Sequence, residues 1–145
     1  MTKSWLTFSK NYEKLLESGE GYDLSIKAGQ EPDVKAFKAH SVILRTHSPY
    51  FYRALSSEWA KKEEDKMVFY KPNVTPTIFE IILKYIYTGN TEIKKEQNGE
   101  FILSLLTAAD ELILPEFMDE VQEYFIKHYA SWIQENFYRI LDFAF

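Results

Sequence analysis

The stretch Phe37–Trp59, FKAHSVILRTHSPYFYRALSSEW, constrains the fold more than any other part of the chain. Phe37 and Ala39 alternate with Lys38, the period-two pattern of a strand. From His40 the pattern changes, and Val42, Ile43 and Leu44 bunch in a way that suits a short buried helix. Ser48-Pro49 then starts another helix, with Ser48 as N-cap and Pro49 at the first helical position, where a missing N–H costs nothing. Phe51, Leu55 and Trp59 follow at intervals of four, so they share one helix face. The stretch is a string of packing anchors, with no grouping of side chains suited to making or breaking bonds.

The flanking segments extend this alternation of strands and helices. In residues 4–18, Trp5, Phe8, Tyr12, Leu15 and Leu16 fall on one helical stripe, and Gly19 ends the helix. A helix of that length is marginal alone, so the stripe needs a surface, either its own domain or a partner chain. Asp23–Gly29 alternates as a half-buried strand, Gly29–Asp33 is turn-rich, and Val34–Ala39 returns, which predicts a hairpin. The charged run Lys61–Lys66 reads as a solvated loop, and Met67–Tyr70 as a short strand. Asn73-Val74-Thr75 matches a glycosylation sequon, but Thr75-Pro76 reads better as the start of a helix ending at Gly89, with Phe79, Ile82, Leu83 and Ile86 inward. Asn90–Gly99 is polar, with room for a short edge strand at Thr91–Ile93. Phe101–Leu112 buries Ile102, Leu105, Leu106 and Ala109. A helix from Pro115 faces Phe117, Met118, Val121, Phe125 and His128 inward. Ser131–Phe145 reads as a single helix that is apolar almost all round.

With 145 residues, 46% of them hydrophobic and 17% aromatic, the chain can bury a real core. The absence of cysteine excludes disulfides and cysteine-ligated metals. The net charge is −5, and Lys61-Lys62 runs straight into Glu63-Glu64-Asp65, so no basic face for nucleic acid is expected. No apolar run approaches the ~20 residues of a membrane span, and no secretory signal is evident. A cytoplasmic or nuclear location is the expectation. His40, His47 and His128 lack metal-ligand spacing. No serine elbow or glycine-rich phosphate loop occurs, and acids such as Glu63-Glu64 or Asp110-Glu111 are adjacent rather than facing. Neither catalysis nor a cofactor nor a metal is expected.

Several of these stretches together resemble the BTB/POZ family. They are Asp23-Leu24, Phe37-Lys38-Ala39-His40, Val42 to Leu44, Ser48-Pro49-Tyr50-Phe51, Tyr85-Ile86-Tyr87-Thr88-Gly89 and Ala108-Ala109-Asp110, over residues 21 to about 129. The resemblance implies an α+β fold, a small mixed sheet flanked by helical hairpins, preceded by an N-terminal amphipathic helix. It implies three parts: residues 1–20 as a dimerisation helix, 21–129 as the BTB/POZ domain, and 130–145 as the start of a BACK-like helical region. It gives structural motif roles to Asp23, Phe37, Ala39, His40, Ser48, Tyr85, Tyr87 and Gly89. It also implies a homodimer whose interface comprises Trp5, Phe8, Tyr12, Leu15 and Leu16 with Leu24 and Ile26 of an exchanged strand. A partner surface for a cullin scaffold falls on Phe51, Leu55, Trp59 and Lys61. The leading functional expectation is a non-enzymatic adaptor between a cullin-type ubiquitin ligase and a substrate protein. The alternatives are a dimerisation module with Kelch, TLDc or other downstream domains and no ligase role, or a transcriptional regulator. Two positions depart from the family pattern. Ser41 stands where the repressor members have a base to pair with Asp23, and Lys61 where the cullin-binding members have an acid.

Overall fold

The computed structural model describes residues 2–56, 61–63 and 66–144. In chain order the elements are α1 (Lys3–Ser18), β1 (Leu24–Ala28), β2 (Lys35–Ala39), α2 (Ser41–His47), α3 (Pro49–Ser56), β3 (Lys61–Glu63), β4 (Lys66–Lys71), α4 (Pro76–Thr88), α5 (Gly99–Glu111), α6 (Pro115–His128), α7 (Ala130–Glu135) and α8 (Phe137–Ala144). They form two compact units, residues 1–92 and 93–145.

The first unit is built on a mixed four-stranded sheet of order β2-β1-β4-β3. The expected hairpin is present, with Leu24 opposite Ala39 and Ala28 opposite Lys35. On its other side β1 runs parallel to β4, Leu24 beside Met67 and Ala28 beside Lys71. Parallel neighbours need a crossover of a dozen or more residues, and the chain spends it on α2 and α3. That is why strand and helix signals are so crowded between Phe37 and Trp59. The alternation read in β1 is borne out: Leu24, Ile26 and Ala28 are fully buried, while Ser25 and Lys27 are half-buried.

The core face of this sheet is aromatic. Phe51 is fully buried, its ring 5.9 Å from Phe69 and 6.5 Å from Phe79, and Phe37 lies 5.4 Å from Phe79. Ser48 caps α3 as expected, its Oγ accepting the Phe51 N–H at 3.2 Å. Thr75 caps α4 in the same way, and Gly89 ends that helix at φ 76°, in the left-handed region that glycine enters without strain. Phe79, Ile82, Leu83 and Ile86 are buried, as the spacing predicts.

Three expectations for this unit need correction. The run Lys61–Lys66 is not all loop, because Lys61–Glu63 pairs antiparallel with β4. A charged segment suits that place, since an edge strand ladders on one side only and charge there discourages further pairing. Thr91–Ile93 is not a strand and enters none of the described ladders. Helix α2 is buried along Ser41 and Leu44, three residues apart, while Val42 is exposed, because residues two apart lie on opposite sides of a helix.

In the second unit α5 packs on α6. Ile102, Leu105, Leu106 and Ala109 of α5 and Phe117, Val121 and Phe125 of α6 are buried as read from the sequence. Met118 is only half-buried, and His128 is exposed although it lies seven residues beyond Val121 on the same face, because it sits in the last turn of α6. Its ring instead lies 4.6 Å from that of Tyr124. Between the two helices Ile113 takes φ 56°, a conformation that strains a β-branched residue. The single helix expected over Ser131–Phe145 breaks at Asn136, whose Nδ2 donates to the Trp132 carbonyl at 2.8 Å. Short polar side chains that bond nearby backbone in this way compete with helix continuation. Trp132 packs 5.7 Å from the Phe125 ring and flat against Gly99, where an added Cβ would come within 2.1 Å of the indole.

Because Phe51 has no exposed surface and joins the rings of Tyr50, Phe69 and Phe79, Phe51→Ala is expected to lower unfolding free energy by roughly 3–5 kcal/mol. Urea or thermal melts monitored by circular dichroism check this, and an unchanged midpoint would take α3 out of the core.

Candidate protein-interaction surface

The residues of the sequence motifs converge where β2 passes into α2. The His40 backbone N–H donates to the Tyr87 hydroxyl at 2.8 Å, and its ring Nδ1 lies 2.7 Å from the same oxygen. On the far side Nε2 is 2.7 Å from the Glu20 carbonyl. A carbonyl only accepts, so Nε2 carries a hydrogen, and in the neutral ring Nδ1 takes the phenol proton. One side chain of α4 thereby satisfies both the strand end and the imidazole. Burial pushes the Tyr87 hydroxyl up to about 12; the His40 N–H works against this, and the nearby Asp23 carboxylate adds to it.

Asp23 stands just before β1, yet its carboxylate closes the start of α2. Oδ1 accepts the Ser41 N–H at 2.8 Å and Oδ2 accepts the Ser41 hydroxyl. Ser41, standing where the repressor members have a base, thus meets this carboxylate with two hydrogen bonds and no neutralising charge. The group is half-buried, doubly hydrogen-bonded and set at a helix N-terminus, where negative charge is favoured. The other motif residues serve the same framework. Phe37 and Ala39 lie in β2, Tyr85 is half-buried in α4, Ser48 and Gly89 cap helices, and these placements bring together segments far apart in sequence.

Helix α1 presents the most apolar exposed surface of the first unit. It lies against α4 and is pinned through Ser9, whose hydroxyl donates to the Thr88 carbonyl at 2.9 Å and accepts from Asn90 Nδ2 at 3.3 Å. The sequence reading missed Ser9, because a polar residue on the buried side does not register as part of an apolar stripe. With Ser9 inward, Trp5, Phe8 and Tyr12 stand 52%, 58% and 47% exposed, while Leu15 and Leu16 are half-buried. Leu24 and Ile26 do not join this surface: β1 is paired on both sides within its own chain and both residues are fully covered. Phe51 and Leu55 likewise leave the expected partner surface, being core residues with nothing to offer a second protein. Trp59 and the side chain of Lys61 lie outside the described residues. Among the described residues no group of His, Asp or Glu is placed to hold a metal ion, and no helix is long and apolar enough to cross a membrane.

The sequence profile of the BTB/POZ domain matches residues 12–129. Among curated proteins, the chain is similar to Inhibitor of Bruton tyrosine kinase from Mus musculus, 32% identical over 94 residues, 64% of this chain and 7% of that protein. It is 34% identical to Kelch-like protein 41 of Rattus norvegicus over 79 residues, 54% of this chain and 12% of the other. It is also 34% identical to BTB/POZ domain-containing protein 9 of Homo sapiens over 90 residues, 62% and 14% respectively. The matched region is thus a small part, 7% to 14%, of these curated relatives. Among solved structures, the BTB domain of zebrafish PATZ1 superposes with a TM-score of 0.67 at 21% identity, over 88% of this chain and 95% of that one. That likeness is one of fold.

Replacing Tyr87 with Phe removes the acceptor of a buried N–H and is expected to cost about 1–3 kcal/mol at neutral pH. The phenol of the folded chain ionises near 12, above its ordinary value of 10.0. The neutral form is therefore favoured by folding, so this stabilisation is complete below pH 10 and lost as pH rises toward 12. Melts across that window should show a fall in stability that is smaller in Tyr87→Phe; parallel curves for the two proteins would remove Tyr87 from the alkaline transition.

Proposed function

The chain belongs to the BTB/POZ family, a protein-interaction fold, and from that premise we propose that it pairs with a second copy of itself through α1 and recruits partner proteins as an adaptor of a cullin-type ubiquitin ligase. In this reading residues 1–20 are the dimerisation segment, residues 21–129 the interaction domain and residues 130–145 the start of a BACK-like helical region. The observation that carries it is the uncovered face of Trp5, Phe8 and Tyr12 on a helix whose opposite side is already fastened to α4. Each such side chain gains about 1.5–3 kcal/mol when buried, and a two-fold axis lets one face meet its own copy. Leu15 and Leu16 extend the face toward the end of the helix. The pairing needs no exchange of β1, which already has two neighbours.

A second reading has one observation in its favour. Lys61 places a base where the cullin-binding members of the family carry an acid, which supports a dimerisation module without a ligase role, as part of a longer protein with Kelch, TLDc or other domains. In both readings the work is binding of another protein rather than chemistry on a small substrate.

Sedimentation equilibrium of the wild type is expected to give a dimer, and Phe8→Asp with Tyr12→Asp a folded monomer, since both positions are exposed in the single chain. A wild type that stays monomeric at high micromolar concentration overturns the pairing. For the ligase role, Lys61→Glu is expected to strengthen binding to the third cullin by a few kcal/mol at most, the scale of a charge reversal at an interface. No binding of either form favours the second reading, and equal calorimetric affinities for the two forms take position 61 out of the contact.

A further inference from the structure

The sheet of the first unit has an open side. β2 is its outermost strand and ladders only with β1. Beyond its free edge lies a groove of about 370 Å³, bounded by the last turn of α1, the consecutive β2 residues 35–38 and the outer side of α4. Its apolar lining comes from Leu16, Phe37 and Leu83. Phe37 and Lys35 point to one side of the strand and Ala36 and Lys38 to the other, since successive residues alternate; all four line the groove, the stem of Lys38 packing against Gly19 at the end of α1.

Both lysines are exposed, and neither is paired with a carboxylate among the described residues. They fold back along their own chain, Lys35 Nζ lying 4.9 Å from the Phe37 ring centre and Lys38 Nζ 5.1 Å from that of Tyr22. Lysines on an edge strand commonly discourage unwanted pairing. Here they do so selectively. A second β2 approaching antiparallel would set Lys35 against Lys38 of the copy, and like charges directly opposite are destabilising. An acidic strand meets the opposite situation, because every position of β2 that bears a charge bears a positive one. The rim acids Glu17 and Glu80 belong to the helices, and Lys84 beside them is already paired with Glu92 at 3.5 Å.

We propose that the free edge of β2 receives an extended acidic segment of a partner protein as a fifth strand, in the pattern acidic–apolar–any–acidic. The two acids stand opposite Lys38 and Lys35. The apolar side chain stands opposite Phe37 and enters the groove between Leu16 and Leu83. Backbone hydrogen bonds along the edge supply affinity, and the alternate pockets supply choice of sequence. This surface is separate from the Trp5, Phe8 and Tyr12 face, with only Leu16 near both, so the inference stands or falls apart from dimerisation.

The test uses a fluorescein-labelled peptide, Thr-Thr-Glu-Val-Thr-Glu-Thr-Thr, titrated with the full chain and followed by anisotropy. Binding is expected, weakening at least about tenfold on Lys35→Glu with Lys38→Glu and falling as salt is raised. The same peptide with lysine in place of glutamate should bind the reversed variant and not the wild type. A version N-methylated at Val and the central Thr should fail, since it lacks strand donors. Circular dichroism confirms that the variant is folded, and Lys35→Gln with Lys38→Gln replaces it if it is not. The proposal is overturned by no binding at millimolar protein, by affinity unchanged on charge reversal, or by equal binding of the N-methylated peptide. It is also overturned if sedimentation shows the wild type self-associating in a manner that either lysine variant abolishes.

Discussion

The first unit depends on one phenol. Tyr87 reaches from α4 to the point where β2 ends, takes the His40 N–H and orders the imidazole, which in turn holds the Glu20 carbonyl. Three segments far apart in sequence are thereby tied at a junction where the backbone changes from ladder to helix and would otherwise leave buried polar groups unmatched. Asp23 does the complementary work beside it, closing α2 from the start of β1. The parallel pairing of β1 with β4 follows from this arrangement, because α2 must leave the sheet in a fixed direction for α3 to cross over and return the chain as β4.

Much of this was legible in the residues. Apolar spacing located α4, α5 and α6, and the caps Ser48, Thr75 and Gly89 set helix ends, because these signals act within a few residues of themselves. What was not legible depends on distant partners. The strand character of Lys61–Glu63 comes from the neighbouring β4, not from its own charged side chains. Ser9 gained its role only from the Thr88 carbonyl opposite it. The break at Asn136 is a contest between a side-chain amide and helix continuation that apolar periodicity does not register. Phe51 and Leu55 show the ambiguity in its simplest form: an apolar stripe on a helix predicts burial, and only the packed structure tells whether the covering surface is the same chain or another.

The exposed face of α1 and the free edge of β2 differ in kind. One is a patch of aromatic side chains on a helix, suited to a rigid, self-complementary surface. The other is a row of backbone groups guarded by lysines, suited to a flexible segment that becomes ordered on arrival. A module with both can separate the making of a symmetric scaffold from the choice of what that scaffold carries.

The contact between Gly99 and Trp132 has a consequence for how this sequence can vary. An indole lying on a bare α-carbon leaves no space for even a methyl group, so position 99 is closed to every side chain for as long as position 132 keeps its ring. The reverse path is open: once the tryptophan is replaced by something small, the glycine loses its reason and an alanine would serve the first turn of α5 better. Descendants of this chain should therefore change the two positions in a fixed order, tryptophan first, and a glycine at 99 is a record of which ring still lies above it.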